Sequence, residues 1–171
     1  MFRSIKTFIS ALVEAERPEH PRSKLQLATA ALLTRVAVAH EEMSQARRAK
    51  LHAVLGSHFD LDDLAAARLI QEAAAADRTA VDLYHFTRQL NHLLNDEGRR
   101  QIIQMMWEIV YVDGKANDIE NNIIWRAADL LGVSTRQRVE LRRRVAPDRV
   151  VLPARRDFPE GVPAPAVARN S

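Results

Sequence analysis

Apolar residues recur every three or four positions through most of the chain, which places them on one face of an α-helix. The first such stripe runs over residues 2–15, and a continuous series begins at Lys24. The first stripe consists of Phe2, Ile5, Ile9, Leu12 and Val13. No stretch alternates between apolar and polar residues as a strand would. The pattern predicts an all-α fold.

Side chains that can cap helices divide the continuous series into segments. Helices are expected to start at Lys24 and Thr79, and after Ser44, Asp62, Asn95, Asn117 and Ser134. The last helix is expected to end near Val145. With the helix at residues 2–15, this predicts a compact bundle of about seven to eight helices.

The chain resembles itself after a shift of seventy-three residues. Val36 then falls on Ile109, Ser44 on Asn117 and Leu51 on Ile124, and one deletion brings the cap Asp62 onto Ser134. Each unit has three helices joined by short loops. Two such units packed together can close a core that neither could bury alone. We therefore expect two pseudo-repeated three-helix units related by a pseudo-two-fold rotation.

The ends of the chain differ from its middle. Residues 1–22 are expected to form an amphipathic helix and a linker containing Pro18 and Pro21, and this helix packs on the domain or makes a homodimer. Residues 23–146 form the helical domain. Residues 147–171 hold five of the seven prolines, have no periodicity, and are expected to be disordered.

Composition excludes several kinds of protein. The chain has no cysteine, so disulfides, thiolate metal sites and cysteine nucleophiles are impossible. No apolar run is long enough to span a bilayer, and the first residues do not form a convincing signal peptide. No phosphate-binding glycine loop or nucleophile elbow is present. A cytoplasmic protein that is not an enzyme is expected, with no catalytic residues.

Positive charge is concentrated near the C-terminus. Nine of the twenty-five Lys and Arg residues follow Ser134, against four of the twenty-two acids, and the remainder of the chain is slightly acidic. The run from Arg142 to Arg144, with Arg149, Arg155 and Arg156, can contact phosphate. Basic residues at a helix end also suit the helix dipole. We expect no nucleic-acid partner.

One loop concentrates oxygen ligands between two predicted helices. Asp113, Asn117, Asp118 and Glu120 lie within eight residues, and hard divalent cations favour such groups. The spacing is not that of an EF-hand. In the alternative reading, Gly114 ends one helix in the left-handed conformation, and Asn117 and Glu120 cap the next. Both readings remain open from the sequence.

The corresponding loop of the first unit has different chemistry. His40 and Glu41 stand where the second loop has Asp113 and Gly114, Glu42 follows them, and Arg47 occupies the position that matches Glu120. A guanidinium beside this loop would repel a cation. The sequence therefore argues against two equal metal sites.

Three stretches resemble the TerB-like tellurite-resistance family: AVDLYHFTRQLN at residues 80–91, MWEIVYVDG at 106–114 and AADLLGVS at 127–134. The resemblance covers about residues 25–145. It implies a compact helical fold with an internal two-fold repeat, and acids after an Asp-Gly turn that bind divalent metal. The positions that match are Asp113, Asn117, Asp118 and Glu120. Arg47 stands where the family commonly has an acid.

The resemblance implies a non-enzymatic module that senses or scaffolds in tellurite-type stress responses near membranes. We expect it to bind a protein partner that is associated with the membrane, and a divalent cation (Ca²⁺, Mg²⁺ or Mn²⁺) at the second Asp-Gly loop. The alternative is a metal-free helical adaptor for protein interactions.

Overall fold

The computed structural model describes residues 21–39, 42–80 and 82–146. Within these residues the chain forms seven α-helices and no strand, which confirms the predicted all-α bundle. The helix expected over residues 2–15 and the tail 147–171 lie outside the described residues. The helices are α1 (Pro21–Ala37), α2 (Gln45–Phe59), α3 (Asp63–Thr79), α4 (Tyr84–Leu93), α5 (Asp96–Tyr111), α6 (Asp118–Leu130) and α7 (Thr135–Val145).

Most helices begin where the sequence predicts. Five capping side chains each accept a hydrogen bond from a backbone N–H in the first turn of their helix, satisfying a donor that would otherwise lack a partner. The same interaction recurs at α2, α3, α5, α6 and α7. The five residues are Ser44, Asp62, Asn95, Asn117 and Ser134.

Two predicted starts are wrong. Helix α1 begins at Pro21, which was assigned to the linker, because proline is tolerated in the first turn of a helix. Thr79 ends α3 instead of starting α4, and its hydroxyl donates to the carbonyl of Ala76. The backbone is extended at Ala80, and α4 starts only at Tyr84, whose N–H donates to the Asp82 carboxylate.

Helix α1 lies at the centre of the bundle and packs against α2, α3, α4, α5 and α6. Its middle is fully buried and rich in alanine, with Ala28, Ala30 and Ala31 beside Leu32 and Leu33. Small side chains let neighbouring helices approach closely, and the leucines fill the space between them. Helix α5 forms the second half of the core and packs against α7.

In the predicted repeat, α1–α3 would match α5–α7, with α4 between the two units. Helix α1 contacts α2 and α3, as α5 contacts α6 and α7. Between the units, α2 contacts α5 and α6 contacts α1, but the contact of α2 with α3 has no equally extensive counterpart between α6 and α7. Superposition of the two units by rotation stays a prediction.

An ion pair joins α1 to α3. Arg35 Nη1 lies 3.3 Å from Asp77 Oδ1, without the alignment of a hydrogen bond. Burial raises the pKa of Asp77 above its ordinary 3.8, and the Arg35 charge offsets this only in part. The ionised form of Asp77 is therefore disfavoured in the folded protein.

This pKa shift predicts a pH effect. Because the folded protein takes up a proton on Asp77 at a higher pH than the unfolded chain, Asp77 lowers stability while it is ionised. Wild type should gain stability relative to Asp77→Asn as the pH falls through the raised pKa towards 3.8. Thermal melts of both proteins across this range measure the gain. A difference in Tm that stays constant with pH would contradict the prediction.

Candidate functional site at the second interhelical loop

The Asp-Gly turn after α5 ends that helix through Gly114. Its φ of +91° lies in the left-handed region, which residues with a side chain rarely adopt. Its N–H donates to the carbonyl of Tyr111 at 2.9 Å. Nothing lies near the position of an added Cβ, so the backbone conformation and not space requires glycine. This confirms the predicted left-handed helix end.

Helix α6 begins with a complete capping box. Asn117 Oδ1 accepts from the Glu120 N–H at 2.8 Å, and Glu120 Oε2 accepts from the Asn117 N–H at 2.9 Å. Glu120 is only 1% exposed. Asn117 and Glu120 therefore cap α6 as the alternative interpretation predicted, and one carboxylate oxygen of Glu120 takes part in the capping hydrogen bonds.

The other Glu120 oxygen faces a positive charge from the first unit. Arg47 of α2 places Nη1 2.5 Å from Glu120 Oε1 as an ion pair without hydrogen-bond alignment. The same guanidinium donates from Nε to Asp113 Oδ2 at 2.6 Å. Its side chain is 11% exposed. One arginine thus links α2 to both ends of the second loop.

Ser44 completes the contact between the two loops. Its hydroxyl oxygen accepts the Arg47 N–H at 3.1 Å, and the hydroxyl lies 3.4 Å from Asp113 Oδ1. The Asp113 side chain is 38% exposed, so its pair with Arg47 is partly screened by water. The Glu120 pair is the buried one.

The structure brings together only some of the predicted metal ligands. Asp113 and Glu120 meet through Arg47, and Asn117 points its amide oxygen at the α6 backbone. Asp118 is exposed in the first turn of α6. Among the described residues, no group of three or more His, Asp or Glu side chains is arranged to hold a metal ion. His40 and Glu41 lie outside that part of the chain.

These residues do not fit the divalent cation that the family implies. Each carboxylate that reaches the centre of the site already contacts Arg47. A cation there would meet the positive charge of the guanidinium. The arrangement can instead hold two helix ends and two loops in fixed register.

Sequence reasoning also missed a buried arginine. Arg138 of α7 lies 3.8 Å from the centre of the Trp125 ring and donates to Asp129 at 3.0 Å. A nearby arginine, Arg142, donates from Nε to the Tyr111 hydroxyl at 2.7 Å. The basic helix α7 therefore makes packing contacts within the bundle.

A groove of about 520 Å³ lies elsewhere, where α1, α3 and α4 meet. Tyr84 lines it and is 54% exposed. The groove combines apolar and charged side chains. The residues that line it besides Tyr84 are Lys24, Leu27, Ala76, Thr79, Ala80, Asp82, His85, Phe86, Arg88 and Gln89. His85, seven residues from His92, lies against Gln89 in this wall.

Together, the fold and the loop define a small all-helical module organised around a capped Asp-Gly turn. The family described as "Tellurite resistance protein TerB" matches residues 26–143. The chain therefore belongs to the TerB family. No curated protein and no solved structure matches it. None of the helices in the described ranges is both long and apolar enough to cross a membrane.

Proposed function

We propose that the chain is a non-enzymatic TerB module that binds a protein partner through the groove between α1, α3 and α4. The observation that carries the proposal is the exposed Tyr84 ring at an otherwise half-apolar groove. Aromatic side chains at the centre of a concave surface contribute strongly to protein interfaces. The buried Phe86 also lines the groove.

The charges of the groove indicate the chemistry of the partner. Lys24 and Arg88 are exposed at its wall, against one acid, Asp82. An amphipathic segment with an apolar anchor and acidic flanks would complement this surface. We propose that the module scaffolds such a partner in the cytoplasm, in a stress response of the kind for which the family is named.

The family resemblance also supports a version in which a divalent cation at Asp113, Asn117, Asp118 and Glu120 gates partner binding. Contact of Arg47 with two of these side chains counts against this version. Our proposal is therefore the metal-free one. A gated module would release its partner when cations are chelated, and the module proposed here would not.

Substitution at the groove tests the proposal. Tyr84→Ala should weaken partner binding at least tenfold, as expected for removal of an aromatic anchor. Tagged wild type and Tyr84→Ala are purified from the native cell, and the proteins that co-purify with wild type but not with the variant are identified. Binding of one such protein is then titrated to obtain Kd.

The matched control is Leu64→Ala. Leu64 is 62% exposed on α3 and does not line the groove. Leu64→Ala should leave the Kd of the partner unchanged. Arg88→Glu should weaken the binding of an acidic partner. Equal binding by wild type, Tyr84→Ala and Arg88→Glu would overturn the proposal.

A further inference from the structure

The site at the second loop has the charge arrangement of an occupied cation site. Two carboxylates, Asp113 and Glu120, pair with one positive group. They contact the nitrogens Nε and Nη1 of Arg47, so both of these ion pairs are made by one planar side chain. The buried carboxylate would otherwise lack a counter-charge.

We infer that the Arg47 guanidinium permanently takes the place of a divalent cation at this loop, so that the folded turn does not depend on metal. Arginine cannot be deprotonated in proteins, and its side chain is nearly buried here. It therefore supplies a positive charge that a chelator cannot remove. This inference does not rest on partner binding at the groove.

The position of Arg47 in the repeat explains how the exchange is possible. Arg47 and Glu120 occupy matching positions of the two units, and they touch each other at 2.5 Å. Matching positions that touch each other would lie close to the axis of the predicted pseudo-two-fold rotation. Two acids at these positions would need an external cation between them. One acid and one arginine neutralise each other directly.

Removal of Arg47 should reopen the site. With Gln at position 47, Asp113 and the buried Glu120 lose their counter-charge but keep their backbone positions, because the capping box and the Gly114 turn remain. A Mg²⁺ or Mn²⁺ ion commonly binds through one or two carboxylates and retains waters. The variant should therefore gain binding of a divalent cation that wild type lacks.

The experiment measures binding of Mn²⁺ alone, through loss of the free-ion signal in electron paramagnetic resonance, to the full chain. Wild type should bind no more Mn²⁺ than Arg48→Gln, a control with the same charge change at an exposed site on the same helix. Arg47→Gln should bind measurably more. Adding Asp113→Asn to Arg47→Gln should abolish the gain.

Thermal melts with and without millimolar Mg²⁺, Ca²⁺ or Mn²⁺ supply the second readout. Cation should raise the Tm of Arg47→Gln by several degrees and leave wild type unchanged. If Arg47→Gln is poorly folded, Arg47→Lys provides a folded variant that keeps the charge, and it should bind no Mn²⁺. The inference would be overturned if wild type bound Mn²⁺ and the Asp113→Asn substitution in wild type removed that binding. Equal Mn²⁺ binding by Arg47→Gln and Arg48→Gln would also overturn it.

Discussion

Replacement of Arg47 by Met is expected to lower the free energy of unfolding by about 3–5 kcal/mol, because it leaves a buried carboxylate without a counter-charge. Glu120 is 1% exposed, so its carboxylate has almost no contact with solvent in the folded protein. The loss corresponds to a fall in Tm of roughly 10–20 °C for a domain of this size. Chemical denaturation and calorimetry measure both quantities.

The expected loss in the free energy of unfolding depends on how deeply the ion pair is buried. Substitutions at neighbouring positions should therefore give a graded series of losses. Asp113→Asn should cost no more than about 1 kcal/mol, because the Asp113 pair is partly exposed. Arg48→Met, an exposed neighbour, should change stability by less than about 0.5 kcal/mol. Equal melting of Arg47→Met and Arg48→Met would show that Arg47 contributes nothing.

A double-mutant cycle separates the ion pair from the cap. Glu120→Gln keeps a side-chain oxygen that can accept from the Asn117 N–H, so the capping box survives. The Arg47→Met and Glu120→Gln changes together should cost less than the sum of the two single changes. We expect a coupling of about 1–3 kcal/mol, within the range measured for contacting residues.

Trp107→Ala is expected to destabilise the protein by a similar amount, about 3–5 kcal/mol, for a different reason. The Trp107 side chain is fully buried on α5. Its ring stacks on Tyr111 at 5.7 Å between centroids, and the Arg142 guanidinium lies 5.0 Å from its centre. Truncation would leave a large cavity and would loosen the packing of α7 on α5.

The second tryptophan provides the control for Trp107. Trp125 is 48% exposed and contacts Arg138 mainly through its ring face. Its replacement by Ala should cost about 1 kcal/mol, the value of a partly exposed cation–π contact. The Arg138 bonds to Asp129 and to the backbone carbonyl of residue 125 would remain. Similar unfolding energies for the two variants would contradict the core position of Trp107.

Local signals in the sequence were sufficient for much of the fold. Capping depends on atoms within three or four residues, so Asn117 with Glu120, and Ser134 with Gln137, could be recognised from spacing alone. The start of α4 was misplaced because threonine is a common cap, and only the structure shows the Thr79 hydroxyl bonded backwards to Ala76.

The candidate site could be predicted only in part, because its charges come from distant parts of the chain. Arg47 and Asp113 are separated by 66 residues, and their contact depends on the way the two units pack. The sequence indicated that a guanidinium at position 47 would repel a cation from the first loop. It did not indicate that the side chain reaches the second loop. The opposite charges of Arg47 and Glu120 at matching repeat positions were the available signal.

The contrasting surroundings of the two tryptophans give the protein two built-in optical reporters. Trp107 is sealed in the core, whereas half of Trp125 faces water. A water-soluble quencher such as iodide should therefore reach the indole of Trp125 first. Phenylalanine at position 125 would leave one emitter that reports on the centre of the bundle. Loosening at the edge formed by α6 and α7 can thus be distinguished from global unfolding in an unlabelled molecule.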